Sequence, residues 1–233
     1  VKTLDHDQAR RVYDRIARLQ DSQAFYEDRA VDLLIREGRF ASSLRVFEFG
    51  CGTGRVAHRL LTEVLPAEAT YLGIDLSPRM IALATERLAP FGARAQVKLS
   101  EGAPPTEEPP GGFDRFVSTY VFDLLSEEDI RAVLAAAHRL LEPGGLLCVC
   151  GLSSGSDALS RGVAQVWSAV HRVSPSLLGG CRPIELAAFL TADHWNVTHR
   201  ESVSAFGVPS EVVVAERIAG ASSAEGLRTG GIS

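Results

Sequence analysis

The decapeptide Val46-Phe47-Glu48-Phe49-Gly50-Cys51-Gly52-Thr53-Gly54-Arg55 limits the fold of this chain more than any other stretch. An apolar run stops at Gly50 and a helical pattern starts after Gly54, so three alternating glycines turn a strand into a helix. Without Cβ atoms, that turn lets a ligand lie directly on the backbone. The first N–H groups of the helix then face an anion such as a carboxylate or phosphate. A tight turn that binds nothing uses the same residues, so the loop alone leaves both readings open.

The rest of the chain repeats the unit. Strand-like runs at 45–49, 70–75, 95–99, 114–120 and 146–151 alternate with helical patterns at 55–65, 78–89 and 126–141. Ser77-Pro78 supplies an N-cap and a first-turn proline, Ser126-x-x-Asp129 resembles a capping box, and Pro143-Gly144-Gly145 turns the chain into the fifth strand. This rhythm implies right-handed crossovers and a doubly wound, parallel α/β sheet covered on both faces. It breaks near the end. Helices are expected at 157–173 and 183–190, then two strand-like runs, 195–205 and 208–217, separated only by Phe206-Gly207. That spacing predicts an antiparallel hairpin on the sheet edge. Before the first strand, Val12, Ile16 and Leu19, then Val31, Leu34 and Ile35, mark two helices, the second of which stops at Gly38. The expected organisation is a helical cap over 1–40, one large domain over 41–218 and a flexible tail over 219–233, where Gly, Ser and Ala dominate without periodicity.

Charge narrows the partners. Lys and Arg number 24 against 29 Asp and Glu, a net of −5, with no basic run to track a phosphate backbone, so nucleic acid is not expected. No apolar stretch is long enough for a membrane span, and the first six residues lack the apolar centre of a signal peptide. A cytoplasmic protein away from membranes is the expectation. Cys51, Cys148, Cys150 and Cys181 fall at no zinc-binding spacing. They read as reduced thiols, with Cys148 and Cys150 on one face of a strand and no metal site.

Asp75 ends the second strand about twenty residues after the glycine loop, which in a doubly wound sheet places it beside that loop at the carboxyl edge. A carboxylate there accepts hydrogen bonds from both hydroxyls of a ribose. A nicotinamide-binding domain shares these features, but its fingerprint puts a third glycine where this chain has Arg55. The terminal hairpin is also foreign to a repeat of mononucleotide-binding halves.

Taken in order, four segments resemble the class I S-adenosylmethionine-dependent methyltransferases, especially the small-molecule enzymes of ubiquinone and menaquinone biosynthesis. They are Phe47-Glu48-Phe49-Gly50-Cys51-Gly52-Thr53-Gly54, Leu72-Gly73-Ile74-Asp75-Leu76-Ser77-Pro78-Arg79-Met80, Phe113-Asp114-Arg115-Phe116-Val117-Ser118 and Arg139-Leu140-Leu141-Glu142-Pro143-Gly144-Gly145. The likeness runs from about Tyr13 to Glu216. It implies a seven-stranded Rossmann-like sheet whose last strand is antiparallel, with the N-terminal helices as a cap. It also implies S-adenosylmethionine as cofactor. Glu48, Gly50, Cys51, Gly52, Thr53 and Gly54 would surround its methionine part, Asp75 the ribose, and Leu76 and Met80 the adenine. Glu101, Gly102 and Ala103 would lie near the adenine amino group, Thr119 near the methionine end, and Tyr13 would close over the cofactor.

The sulfonium of that cofactor is an activated electrophile, so in-line methyl transfer to a small molecule needs alignment and exclusion of water more than acid–base chemistry. Where the acceptor arrives protonated, Asp123 and His171 are the expected bases, with Glu185 a further candidate. Tyr120, Phe122, Trp167 and Arg182 are expected to contact the acceptor; Trp167 precedes His171 by one helical turn, on the same face. Phe122-Asp123-Leu124-Leu125 stands where the family often has a histidine pair, and no Asn-Pro-Pro-Tyr sequence points to amide methylation. Two alternatives remain: a module that binds the cofactor without turnover, and a nicotinamide-dependent oxidoreductase.

Overall fold

The computed structural model describes residues 24–102, 108–155 and 181–219. Tyr13, Ala103, Trp167 and His171, the first expected helix, the helix expected over 157–173 and nearly all of the 219–233 tail lie outside the described residues.

Five parallel strands form the first part of the sheet: β1 (Arg45–Phe49), β2 (Thr70–Asp75), β3 (Ala95–Leu99), β4 (Phe113–Thr119) and β5 (Leu141–Leu152). The hairpin of β6 (Trp195–Ala205) and β7 (Val208–Arg217) completes it, with β7 antiparallel to both β5 and β6. The order is β3-β2-β1-β4-β5-β7-β6, with the reversal at β1 that a doubly wound sheet requires. The hairpin has the expected bounds because a two-residue connection, Phe206-Gly207, with both residues at positive φ, matches the twist of antiparallel strands.

Strand alternation splits the core. On one face Val46, Val117, Cys148 and Val214 meet α1 (Ala24–Glu37) and α2 (Arg55–Glu63) through Val31, Leu34, Val56 and Leu60. On the other, Phe47, Phe116, Leu147 and Val213 meet α4 (Glu127–Leu140) through Ile130, Leu134 and Leu140. Cys148 and Cys150 do share a face, buried and unbridged. Helix α1 packs across β5, β6 and β7, so this part of the expected cap is a layer of the core. The caps read from sequence are present: Ser77 Oγ accepts from the N–H of Met80 at the start of α3 (Pro78–Leu88), and Ser126 Oγ accepts from the N–H of Asp129 in α4.

The helix expected over 183–190 is replaced by a single 3-10 turn, Leu186–Phe189. Its N–H groups are claimed by tertiary partners. Glu211, buried in β7, accepts from Leu186 at 2.5 Å and from Ala187 at 3.4 Å, while Ile184 N–H donates to the carbonyl of Leu152 at 2.9 Å. Strand β5 is also longer than the run at 146–151, since Leu141 pairs with Phe113 across an irregularity in the ladder.

Two carboxylates within the sheet carry unusual weight. Asp114 accepts from the Ser43 hydroxyl at 2.5 Å and from the N–H groups of Leu44 at 2.8 Å and Arg45 at 3.0 Å, which pins the entry to β1. Asp114→Ala leaves those donors unmatched and is expected to cost about 3 kcal/mol in urea unfolding, with Asp114→Asn intermediate; an unchanged midpoint would contradict this role. Glu48, enclosed in β1, accepts from the Tyr71 hydroxyl at 2.6 Å. Burial pushes its carboxyl up to about 8, against the Tyr71 hydrogen bond and helped by the nearby Asp75 charge. Its folded state therefore holds a proton that the unfolded chain releases near 4.5, and stability falls as pH rises between those values. Glu48→Gln is expected to flatten this fall by about 3–5 kcal/mol between pH 5 and pH 8. Part of the slope persists through Asp123, whose carboxyl is raised in the same direction. Equal slopes in the two proteins would refute the assignment.

Candidate active site

The glycine loop and the β2–α3 turn meet at the carboxyl edge of the sheet. Gly50 and Cys51 both donate to the carbonyl of Ile74 at 2.9 Å. The Asp75 carboxylate then joins the two segments, Oδ2 accepting from Gly52 N–H and Oδ1 from Ser77 N–H, each at 2.9 Å. Gly50, Gly52 and Gly54 all have positive φ, the region that favours glycine. At Gly50 a Cβ would also lie 2.4 Å from Val121 Cγ2, so the β1 and β4 loops approach closely only because this residue has no side chain.

A cavity of about 120 Å³ opens in front of this junction. The loop side is Phe49, Gly50 and Gly52; Ile74, Asp75, Leu76 and Met80 form the next wall; Ser100 and Gly102 follow β3. Thr119, Tyr120 and Val121 close it from β4, and Leu124, Leu125, Ser126 and Asp129 from the turn and helix that follow. Most of this lining is apolar, with Asp75 and Asp129 the acids at its margin.

Of the residues singled out from sequence, Gly50, Gly52, Asp75, Leu76, Met80, Gly102, Thr119 and Tyr120 line the cavity. Others stand behind it. Glu48 and Cys51 are buried beneath the loop, and Thr53 turns toward α3, where Arg87 donates to its hydroxyl at 2.6 Å. Gly54 caps α2 and packs on α3, since a Cβ there would lie 3.2 Å from Ala84. Glu101 is exposed, next to the lining residue Gly102. Phe122 and Asp123 are buried in the turn after β4, and Glu185 pairs with Arg200 at 3.0 Å. Arg182 donates its backbone N–H to the Asp123 carbonyl at 3.0 Å and a guanidinium N–H to the Leu125 carbonyl at 2.7 Å. Arg55, in the place of a third fingerprint glycine, pairs with Glu27 at 3.0 Å and with Asp28, fastening α1 to α2.

Sequence reasoning did not single out Phe49, Ile74, Ser100, Val121, Leu124, Leu125, Ser126 or Asp129 as lining residues. Ser126 and Asp129 were legible as a helix cap, and their second position, at the cavity, follows from where α4 begins. Asp123 is enclosed, and desolvation pushes its carboxyl up to about 7 despite the hydrogen bond from Leu152 N–H. Among the described residues no group of His, Cys, Asp and Glu is placed to hold a metal ion, and no helix is long and apolar enough to cross a membrane.

Comparison with known proteins agrees with this geometry. Residues 47–147 match a family described as a methyltransferase domain. A carboxy-S-adenosyl-L-methionine synthase of Chromohalobacter salexigens is 33% identical over 115 residues, 49% of this chain and 42% of that protein. An uncharacterized methyltransferase of Bacillus thuringiensis is 31% identical over 144 residues, 60% of this chain and 61% of its own. The chain thus spans about half the length of the curated relatives it matches. Among solved structures, the 4+2 cyclase SpnF superposes with a TM-score of 0.72 at 17% identity, covering 94% of this chain and 99% of that one. Geranyl diphosphate methyltransferase, in complex with GPP and sinefungin, gives 0.61 at 11% identity over 81% of this chain and 76% of its own. These structures share the fold. Residues 47–147 thus match a methyltransferase domain, and the same stretch holds the glycine loop, the acid ending β2 and the strands about which the sheet order reverses.

Proposed function

We propose that the cavity at the carboxyl edge binds S-adenosylmethionine and that the protein transfers its methyl group to a small-molecule acceptor. The observation that carries this reading is the Asp75 junction. A carboxylate oxygen accepts more than one hydrogen bond, so Asp75 can hold ribose hydroxyls while it fixes Gly52 and Ser77. Ile74, Leu76 and Met80 supply an apolar wall for an adenine ring, and Gly102 lies at its far margin. Gly50 and Gly52 offer bare backbone to the amino-acid end, and Thr119 lines the same cavity. When bound, the cofactor supplies a methyl group on a positively charged sulfur. The chain's own task is to align the acceptor, exclude water and hold charge. Apolar residues after β4, Val121, Leu124 and Leu125, suit the exclusion of water. We assign acceptor contacts to Tyr120 and Arg182, and to Trp167 and His171 outside the described residues.

One alternative has specific support. The relative from Chromohalobacter salexigens carries the name of a synthase, so the same core serves reactions other than methyl transfer to an acceptor. A nicotinamide cofactor is disfavoured because Arg55, placed where that fingerprint has glycine, is engaged with Glu27 and Asp28.

Calorimetric titration tests the reading. The protein is expected to bind S-adenosylmethionine and neither NAD nor NADP. Asp75→Asn, which keeps one acceptor oxygen, is expected to weaken binding at least about tenfold, and Asp75→Ala to abolish it, with the fold checked by circular dichroism. Nicotinamide binding, or no binding by the wild type, would overturn it.

A further inference from the structure

Among the described residues, five buried side-chain atoms lack a hydrogen-bond partner, and three of them fall at one junction: Asp123 Oδ1, Ser153 Oγ and Arg182 Nε. Three chain segments meet there. Leu152 N–H donates to Asp123 Oδ2 at 3.3 Å, Arg182 N–H donates to the Asp123 carbonyl at 3.0 Å, and Ile184 N–H donates to the Leu152 carbonyl at 2.9 Å. Asp123 and Ser153 are almost wholly buried. Each such atom costs about 1–3 kcal/mol when left unmatched, so three together ask for a partner rather than a packing explanation. The junction adjoins the cavity: Val121, Leu124 and Leu125, on either side of Asp123, line it, and Arg182 is anchored on the Leu125 carbonyl.

We propose that Asp123, Ser153 and Arg182 form the polar end of the acceptor pocket and bind a hydroxyl group of the acceptor, a proposal that rests on the methyltransferase reading above. The donor and acceptor types select this class. Above about pH 7, where Asp123 is ionised, its carboxylate oxygen accepts only, Arg182 Nε–H donates only, and the Ser153 hydroxyl does either. A carbonyl or carboxylate ligand would satisfy Arg182 and leave Asp123 unmatched. An ammonium group would satisfy Asp123 and leave Arg182 unmatched. A hydroxyl donates to Asp123 and accepts from Arg182 or Ser153 at a single atom, and a site built this way discriminates strongly against the ether that lacks the proton.

Saturation-transfer NMR with phenol and cyclohexanol as probes, against anisole and methoxycyclohexane, tests this on the full chain. The wild type is expected to prefer each alcohol over its ether at least about tenfold. Asp123→Asn and Ser153→Ala are each expected to bring that ratio near unity; Ser153→Ala serves if the other variant misfolds. Equal affinity for alcohol and ether, no saturable binding of either alcohol, or a preference untouched in the folded variants would overturn the proposal; the last outcome would leave the junction to a structural water. Calorimetry with S-adenosylmethionine on the same samples separates the two readings. If the alcohol preference is present without cofactor binding, the methyltransferase reading fails and the subsite stands. If the cofactor binds and no preference appears, the subsite alone fails.

Discussion

The arrangement depends on one carboxylate. Asp75 accepts from Gly52 with one oxygen and from Ser77 with the other, and so fixes the glycine loop and the start of α3 to the end of β2. The neighbouring Ile74 carbonyl accepts from Gly50 and Cys51, which sets the loop in register with the strand beside it. Neither helix needs to be long to hold this edge, because each begins at a fixed point: α2 at Gly54 and α3 at the Ser77 cap. Arg55 extends the same framework outward by pairing with Glu27 and Asp28 of α1. These bonds all lie within the chain, so the fold itself holds the cradle in place.

Some parts of the fold around this edge are local in sequence, and those could be read from residues alone. Ser77-Pro78 and Ser126-x-x-Asp129 act within one helical turn, and both caps form. Phe206-Gly207 joins two runs that pair with each other, so the hairpin needed no distant information. What failed to be legible depends on partners far along the chain. Residues 183–190 have helical periodicity, yet Glu211 takes the N–H groups of Leu186 and Ala187 and leaves one 3-10 turn. Val121 enters the cavity wall through the missing Cβ of Gly50, a contact between two loops that no periodic pattern announces. Thr53 and Glu48 belong to the right motif, but the turn and the strand alternation send their side chains to Arg87 and Tyr71.

Two buried acids shape the electrostatics behind the cavity. Glu48 is buried in β1, just before the glycine loop, and Asp123 in the turn after β4, and desolvation raises both carboxyls toward neutrality. Glu48 has a hydroxyl donor of its own in Tyr71, which marks it as part of the support for the loop. Asp123 keeps an oxygen unmatched, next to a serine and an arginine in the same condition. The two acids therefore differ in how far the fold itself satisfies them.

The central claim is that the carboxyl-edge cavity receives S-adenosylmethionine, and the chain carries its own reporter. Met80 is the one methionine in the sequence; it is almost wholly buried and lines the cavity beside Asp75. With carbon-13 in the methionine methyl group, a single NMR signal follows that wall directly. An adenine ring packed there should move the signal in a saturable way as S-adenosylmethionine is added, because ring currents act strongly at contact distance. A signal that stays in place while the cofactor binds would put the ligand elsewhere on the protein and contradict the account.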